Sequence, residues 1–164
     1  SQLHQSWHLS EQYGRPMLRW AAMLYELGLC IEYKKAPQHA AYIIDHIDMP
    51  GFTPAQKQLL SALVLNQRDD FHLDVLERQN AVSQAQACRL VRLLRIAIIL
   101  CMRRTEGTVP AFRLTVQADD EDGLLISLPS GWKQVHYLRA SELQAEAERQ
   151  TGLGWQTQVE ELPV

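Results

Sequence analysis

The chain has 164 residues, which is enough for one ordinary domain or two small ones. Its apolar fraction of 46% and charged fraction of 21% are those of a globular protein, and a net charge of -3 excludes a general attraction to nucleic acid or anionic membranes. The longest apolar run, residues 96–102, is far too short to span a bilayer. An anion-binding site would therefore have to be a local basic cluster.

The first third of the chain predicts two helices and a turn. Apolar residues at helical spacing predict a helix that begins near Glu11, is capped by Ser10 and ends at Gly28. Pro37 is expected to open a second helix. Residues 48–51, Asp-Met-Pro-Gly, are typical of a turn in which proline fixes one dihedral angle and glycine accepts a positive φ.

Two capping boxes predict the next long helices. The first, at residues 53–56, has proline at the first helical position and opens a helix that ends near Asn66. The second, at residues 83–86, opens the longest helix, expected over residues 84–104. A short helix is predicted between them over residues 73–78.

The period of the sequence changes beyond residue 107. Alternating apolar and polar residues predict a half-buried strand over residues 112–116, and the acidic run 119–122 is expected to form a hairpin loop before a second strand at 124–128. A third capping box predicts a helix over residues 141–150, and a last strand follows at 155–159.

The three cysteines, Cys30, Cys88 and Cys101, are an odd number without CxxC spacing. This pattern argues against a disulfide framework and against a zinc site. Because all three lie among apolar residues, we expect buried thiols and a reducing, cytoplasmic compartment. The chain opens on Ser1 without a signal segment, which favours a fragment or a processed chain.

Five segments resemble one known family. They are WAAML at 20–24, ELGLC at 26–30, APQHAAY at 36–42, DMPGF at 48–52 and LPSGW at 128–132. The chain resembles the exopolyphosphatase/guanosine pentaphosphate phosphohydrolase family, and within it the pentaphosphate branch. The resemblance implies the C-terminal part of an enzyme whose catalytic residues, and a bound Mg²⁺, belong to N-terminal actin-like domains absent here. It implies no catalytic residue and no cofactor in this chain.

The resemblance also relates the helical region to the HD superfamily. The expected fold class is therefore α+β: an N-terminally truncated, degenerate HD-like helical domain over residues 1–106, followed by a small β-β-α-β domain over residues 111–164.

Metal-dependent HD proteins hold divalent ions through histidine and aspartate ligands from several helices. The family often has a His-Glu pair at the position of Tyr25 and Glu26, and its exopolyphosphatase branch often has a histidine at the position of Gln67. Because those ligands are replaced, we predict no metal site. His39 and His46 are seven residues apart, roughly 10 Å along a helix, so they are too distant to share one ion. We expect a hydrogen-bonded His39 and an exposed His46.

Arginines recur every third residue along the longest predicted helix, at Arg89, Arg92 and Arg95. Guanidinium forks bind phosphate oxygens through paired hydrogen bonds, so successive arginines could follow a polyanion. The resemblance implies a basic channel leading towards the actin-like active site. The predicted phosphate-binding residues are Arg89, Arg92, Lys34 and Lys35. The alternative is a solvated helix face whose arginines pair with acidic neighbours.

Three functions remain open from the sequence. In the first, the chain is the accessory C-terminal region of a phosphoanhydride hydrolase, binds pppGpp or polyphosphate, docks on the actin-like domains and carries a homodimer contact. The second is a free-standing HD-type metal phosphohydrolase, and the third is a non-enzymatic helical interaction module. No DNA and no membrane is expected as a partner.

Overall fold

The computed structural model of the chain describes a large part of its sequence. It covers Trp7, Leu9 and residues 13–31, 36–102 and 111–163, and for residues 25–31, 36 and 102 it describes the backbone alone. Helices and a three-stranded mixed sheet make the fold α+β, as predicted. The HD-like character of the helices stays a prediction.

The chain forms two compact units. One is Leu9–Leu94, and the other combines Ser1–His8 with Arg95–Val164. The two predicted domains, 1–106 and 111–164, remain a prediction about domain organisation. Each unit is described separately below.

The helical unit contains the first five helices. They are α1 (Gly14–Ile31), α2 (Ala36–His46), α3 (Pro54–Leu65), α4 (Leu73–Arg78) and the greater part of α5 (Gln84–Ala97). Helices α1, α2 and α3 contact one another. Their buried residues include Met17, Ala21, Ala40, Ile44, Leu59, Leu60 and Leu63. These residues recur at helical spacing, so each helix turns one apolar face inwards.

The connection from α2 to α3 follows the predicted local chemistry. The Phe52 N–H donates to the Met49 carbonyl at 3.1 Å, which closes a turn, and Gly51 has a φ of 87°. In α3 the Thr53 hydroxyl accepts from the Gln56 N–H, and the Gln56 side chain accepts from the Thr53 N–H. The predicted turn and capping box are confirmed, as are the bounds of α4.

The predicted ends of two other helices, α1 and α5, have different outcomes. Helix α1 continues through Gly28 to Ile31, so the predicted stop is wrong. An interior glycine costs a helix only about 1 kcal/mol, which tertiary packing can offset. Helix α5 ends at Ala97 and is followed by a π-helical segment, Ile98–Met102. The predicted cap Ser10 and the predicted end at residue 104 lie outside the described residues.

The second unit contains the sheet. Its elements are β1 (Arg113–Gln117), β2 (Asp120–Leu128), α6 (Trp132–Val135), α7 (Tyr137–Gly152) and β3 (Thr157–Glu161). The strand order is β1-β2-β3, with β1 antiparallel and β3 parallel to β2. The helices thus form the crossover that a parallel pair requires, and the predicted β-β-α-β order is confirmed.

Two local predictions in this unit differ from the structure. The predicted hairpin forms, but the loop is shorter than predicted, because a tight turn at residues 118–119 ends where β2 begins at Asp120. Ser141 does not cap a helix, because α7 begins at Tyr137 and places Ser141 inside it. The capping-box pattern describes a single turn, so it cannot exclude a helix that starts one turn earlier.

Trp7 also belongs to the sheet-containing unit. Its side chain is fully buried, and its indole Nε1–H donates to the backbone carbonyl of Glu121 at 3.0 Å. The indole thereby satisfies its single donor while its rings are removed from water. An N-terminal residue is in this way fixed to strand β2.

Candidate functional site

The arginine row lies on α5 as the sequence predicts. Arg89 and Arg92 are three residues apart, and Arg95 follows at the same spacing, so the side chains share one helix face. The helix begins where the Ser83 hydroxyl accepts the Gln86 N–H at 3.3 Å. Local capping and spacing together therefore place the guanidinium groups.

All three guanidinium groups are buried rather than solvated. The exposed fractions are 8% for Arg89, 0% for Arg92 and 2% for Arg95. The solvated helix face of the alternative is therefore wrong, but its pairing with an acidic residue holds for Arg95. Arginine is almost never fully buried unless it is paired, so such a row needs partners from elsewhere in the fold.

The partner of Arg95 is Glu146 of α7, in the same unit. Arg95 Nε lies 2.6 Å from Glu146 Oε1, and Arg95 Nη2 lies 3.0 Å from Glu146 Oε2. The Gln150 amide donates to Glu146 Oε1 at 3.1 Å, and the Thr157 hydroxyl donates to Gln150 Oε1 at 3.1 Å. This chain of hydrogen bonds joins α5, α7 and β3, so Arg95 has a structural partner rather than a vacant anion site.

Sequence reasoning missed Glu146, although a signal was present. Leu143, Glu146, Ala147 and Gln150 follow helical spacing and are all buried on α7. A carboxylate at an apolar-face position indicates a buried charge that needs a cation. The sequence alone could not name Arg95 as that cation.

Arg89 and Arg92 remain the candidate phosphate residues of the described chain. Both make interactions within the protein, and their three-residue spacing places them on one face of α5. Lys34 and Lys35 lie outside the described residues. Arg89 is the more exposed of the two residues, at 8% against 0% for Arg92.

The residues considered as metal ligands do not come together in the described part of the chain. No group of three or more His, Cys, Asp or Glu side chains that could hold an ion occurs among the described residues. His46 is exposed, as expected, and its Nδ1 lies 2.8 Å from the Tyr42 carbonyl oxygen. His39 is half-buried. The side chains of Tyr25 and Glu26 lie outside the described set.

Gln67 and its neighbour Asn66 differ in their hydrogen bonding. Gln67 is 1% exposed, and neither its Oε1 nor its Nε2 has a hydrogen-bond partner in the structure as described. The Asn66 amide donates to the carbonyls of Ala62 and His72 and accepts the His72 N–H. Asn66 therefore closes the end of α3, whereas Gln67 is a buried amide with unmet hydrogen-bonding capacity.

The described cysteines are free thiols. Cys88 is buried and Cys101 is partly exposed. Burial raises the pKa of Cys101 above its ordinary value of 9.0, and the positive charge of Arg139 opposes that shift. A thiol with a raised pKa is a poor nucleophile at neutral pH, so Cys101 has the character of a structural residue.

The sequence of the chain matches a family model described as Ppx/GppA phosphatase, domain III, over residues 1–147. The chain belongs to the Ppx/GppA phosphatase family. The matched region includes the whole of α5 and both candidate arginines.

Two relatives from Aeromonas species are similar to almost the whole chain. A protein of Aeromonas hydrophila subsp. hydrophila named guanosine-5'-triphosphate,3'-diphosphate pyrophosphatase is 67% identical over 159 residues. A protein of the same name from Aeromonas salmonicida is 65% identical over 159 residues. In both cases the match covers 97% of this chain and 32% of the relative. This Ppx/GppA chain therefore spans about a third of the length of the curated relatives it matches.

None of the helices in the described part of this Ppx/GppA chain combines the length and the hydropathy that a bilayer crossing requires.

Proposed function

We propose that this chain is the accessory C-terminal region of an enzyme that converts pppGpp to ppGpp. The observation that carries the proposal is the 67% identity, over 97% of the chain, to a guanosine-5'-triphosphate,3'-diphosphate pyrophosphatase. In this proposal, the parent protein's N-terminal actin-like domains would hold a carboxylate base and a charge-neutralising Mg²⁺. Attack of water on the terminal phosphorus there breaks the terminal phosphoanhydride bond, releasing orthophosphate and leaving ppGpp. Those domains would lie in the two thirds of the parent that this chain does not span.

The contribution of this chain is to bind polyanionic substrate and to hold partners. Arg89 is the leading phosphate ligand, because it lies three residues before Arg92 on α5 and is 8% exposed, whereas Arg92 is 0% exposed. Arg92 is fully buried, so it acts through its positive charge next to Arg89, or it contacts a phosphate group only after the surrounding structure opens locally. Lys34 and Lys35 are further phosphate ligands in the proposal. A homodimer contact and a cytoplasmic location complete it.

The decisive experiment compares this chain with the full-length parent. Both are assayed for phosphate release from pppGpp and from polyphosphate, with and without a chelator. We expect release from pppGpp by the parent alone. Chelator-sensitive release by this chain would instead support a free-standing HD-type hydrolase. A parent that releases phosphate from neither substrate would leave the non-enzymatic module as the better description.

The arginine role is tested in the parent with Arg89→Ala and with Arg78→Ala as the matched control. Arg78 is exposed and pairs with Asp74 on the same short helix, so its loss removes one charge without disturbing a buried group. We expect Arg89→Ala to raise KM for pppGpp about tenfold or more, and Arg78→Ala to leave it unchanged. If both variants raised KM for pppGpp equally, Arg89 would contribute only to the net charge and would not be a phosphate ligand.

The homodimer is tested by sedimentation of the parent and of this chain over a range of concentrations. A strict monomer in both at high concentration would remove the dimer from the proposal.

A further inference from the structure

A surface cavity of the helical unit, open to solvent, is lined by both polar and apolar atoms. Its volume is about 480 Å³. It is lined by Asp45, Pro54, Ala55, Lys57, Gln58 and Asn80. These residues come from the end of α2, the first turns of α3 and the segment after α4, so three separate parts of the chain converge on it.

The lining offers one acceptor with full negative charge and one donor with full positive charge. Asp45 supplies the carboxylate and Lys57 the ammonium group, while Gln58 and Asn80 add amides that can both donate and accept. Lys57 is half-buried and Asp45 is exposed. A ligand that fits this set offers hydrogen-bond donors to the carboxylate and an anionic group to the ammonium.

An aromatic pair on α2, outside the cavity lining, has its two members before and after Asp45 in the sequence. The rings of Tyr42 and His46 are stacked, with centroids 4.0 Å apart and planes inclined by 25°, and Tyr42 is 63% exposed. Asp45 follows Tyr42 by three residues, so the two side chains are neighbours on the helix surface. Exposed aromatic rings next to hydrogen-bonding groups are the surfaces on which nucleobases stack.

We propose that this cavity binds the guanine base of a guanine nucleotide. The guanine Watson–Crick edge presents two adjacent donors, N1–H and the N2 amino group, which match the two oxygens of the Asp45 carboxylate. Adenine presents an acceptor at N1 and would face the same carboxylate with a repulsive lone pair. Tyr42 stacks on the base, and Lys57 contacts a phosphate of the nucleotide.

This inference rests on the proposed function and deepens it. A base-binding site on the accessory region distinguishes pppGpp from polyphosphate, which has no base. It predicts that substitution at the cavity weakens use of pppGpp and leaves use of polyphosphate unchanged. Arg89 and Arg92 of α5 would then bind the phosphates, and the cavity would select between the substrates.

The direct test is calorimetric titration of this chain with GDP and with ADP. We expect GDP to bind at least tenfold more tightly than ADP, and Asp45→Asn and Tyr42→Leu each to weaken GDP binding about tenfold. Asp70→Asn is the matched control, because Asp70 is an exposed carboxylate of the same unit away from the cavity lining. Equal binding of GDP and ADP, absence of GDP binding, or equal loss in the Asp70 variant would each overturn the proposal.

A second arm separates this inference from the proposed function. In the full-length parent, Asp45→Asn should raise KM for pppGpp and leave KM for polyphosphate unaltered. A parent that hydrolyses pppGpp with an unchanged KM after this substitution would refute the base site and leave the proposed function standing. A parent inactive on pppGpp before any substitution would refute the proposed function, while the GDP titration would still decide the base site.

Discussion

Arg95 and Glu146 form a buried, two-point ion pair across 51 residues of sequence. Their side chains are 2% and 5% exposed, and both nitrogen–oxygen distances are within hydrogen-bonding range. Such a pair is geometrically specific because the planar guanidinium fork matches the carboxylate. The pair connects α7 to Arg95, which is the first residue of the sheet-containing unit after the helical unit ends at Leu94.

Breaking this pair should destabilise the chain strongly. Glu146→Gln leaves the Arg95 charge buried without its counter-ion, so we expect the free energy of unfolding to fall by about 3–5 kcal/mol. Arg78→Ala breaks the exposed Arg78–Asp74 pair and should cost less than about 1 kcal/mol. Urea unfolding followed by far-UV circular dichroism measures both, and similar losses in the two variants would contradict the structural role of the buried pair.

Substitution by leucine should change the free energy of unfolding differently at the adjacent residues Asn66 and Gln67. Gln67→Leu removes a buried amide that has no hydrogen-bond partner among the described residues. The free energy of unfolding should therefore rise by about 1 kcal/mol or stay unchanged. Asn66→Leu removes three hydrogen bonds at the end of α3 and should cost about 2–3 kcal/mol. Thermal and urea unfolding of the two variants check this. A large loss in the Gln67 variant would mean that the amide binds a group such as an ordered water molecule.

Secondary structure was predicted best from the sequence where the residues that determine it lie close together in the chain. Helix α4 was predicted over the residues at which it forms, and the capping box at Thr53 was predicted with its partner Gln56. In each case the relevant atoms lie within one or two helical turns, so spacing and residue type decide the outcome.

Prediction failed where distant residues decide. The spacing of Arg89, Arg92 and Arg95 identified their common helix face, but arginine is usually exposed, so its burial had no local sign. The partner of Arg95 is on α7, and no periodicity connects the two helices. The proposed base-binding cavity was missed for the same reason, because its lining comes from three separate segments.

Trp7 should contribute both a hydrogen bond and a large buried surface to the sheet-containing unit. Trp7→Phe keeps most of the ring but loses the donor to the Glu121 carbonyl, so the free energy of unfolding should fall by about 1–2 kcal/mol. Trp7→Ala also leaves a cavity and should cost about 3–5 kcal/mol. Hydrogen exchange of the β2 amides measures where the loss occurs. Unchanged exchange in β2 after Trp7→Ala would show that the N-terminal residue does not support the strand.

Cys101 should react slowly with alkylating reagents, and stability should depend on its ionisation only in alkaline solution. Burial raises the pKa of its thiol above 9.0, so the folded chain keeps the proton at a pH where the unfolded chain has lost it. The unfolded state then binds fewer protons, and the stability due to this group is greatest below pH 9.0 and falls as pH rises through the folded pKa. Arg139 opposes the shift, so Arg139→Leu should raise the pKa further and slow the reaction.

The measurement is the rate of iodoacetamide modification against pH, in a background where Cys30 and Cys88 are replaced by serine so that Cys101 alone reacts. The half-maximal rate should come at a higher pH than for a free cysteine, and at a still higher pH after Arg139→Leu. Substitution of Cys101 itself by serine should flatten the alkaline decline in stability that belongs to the thiol. A half-maximal rate below pH 9.0 would mean that the positive charge of Arg139 outweighs burial at this site.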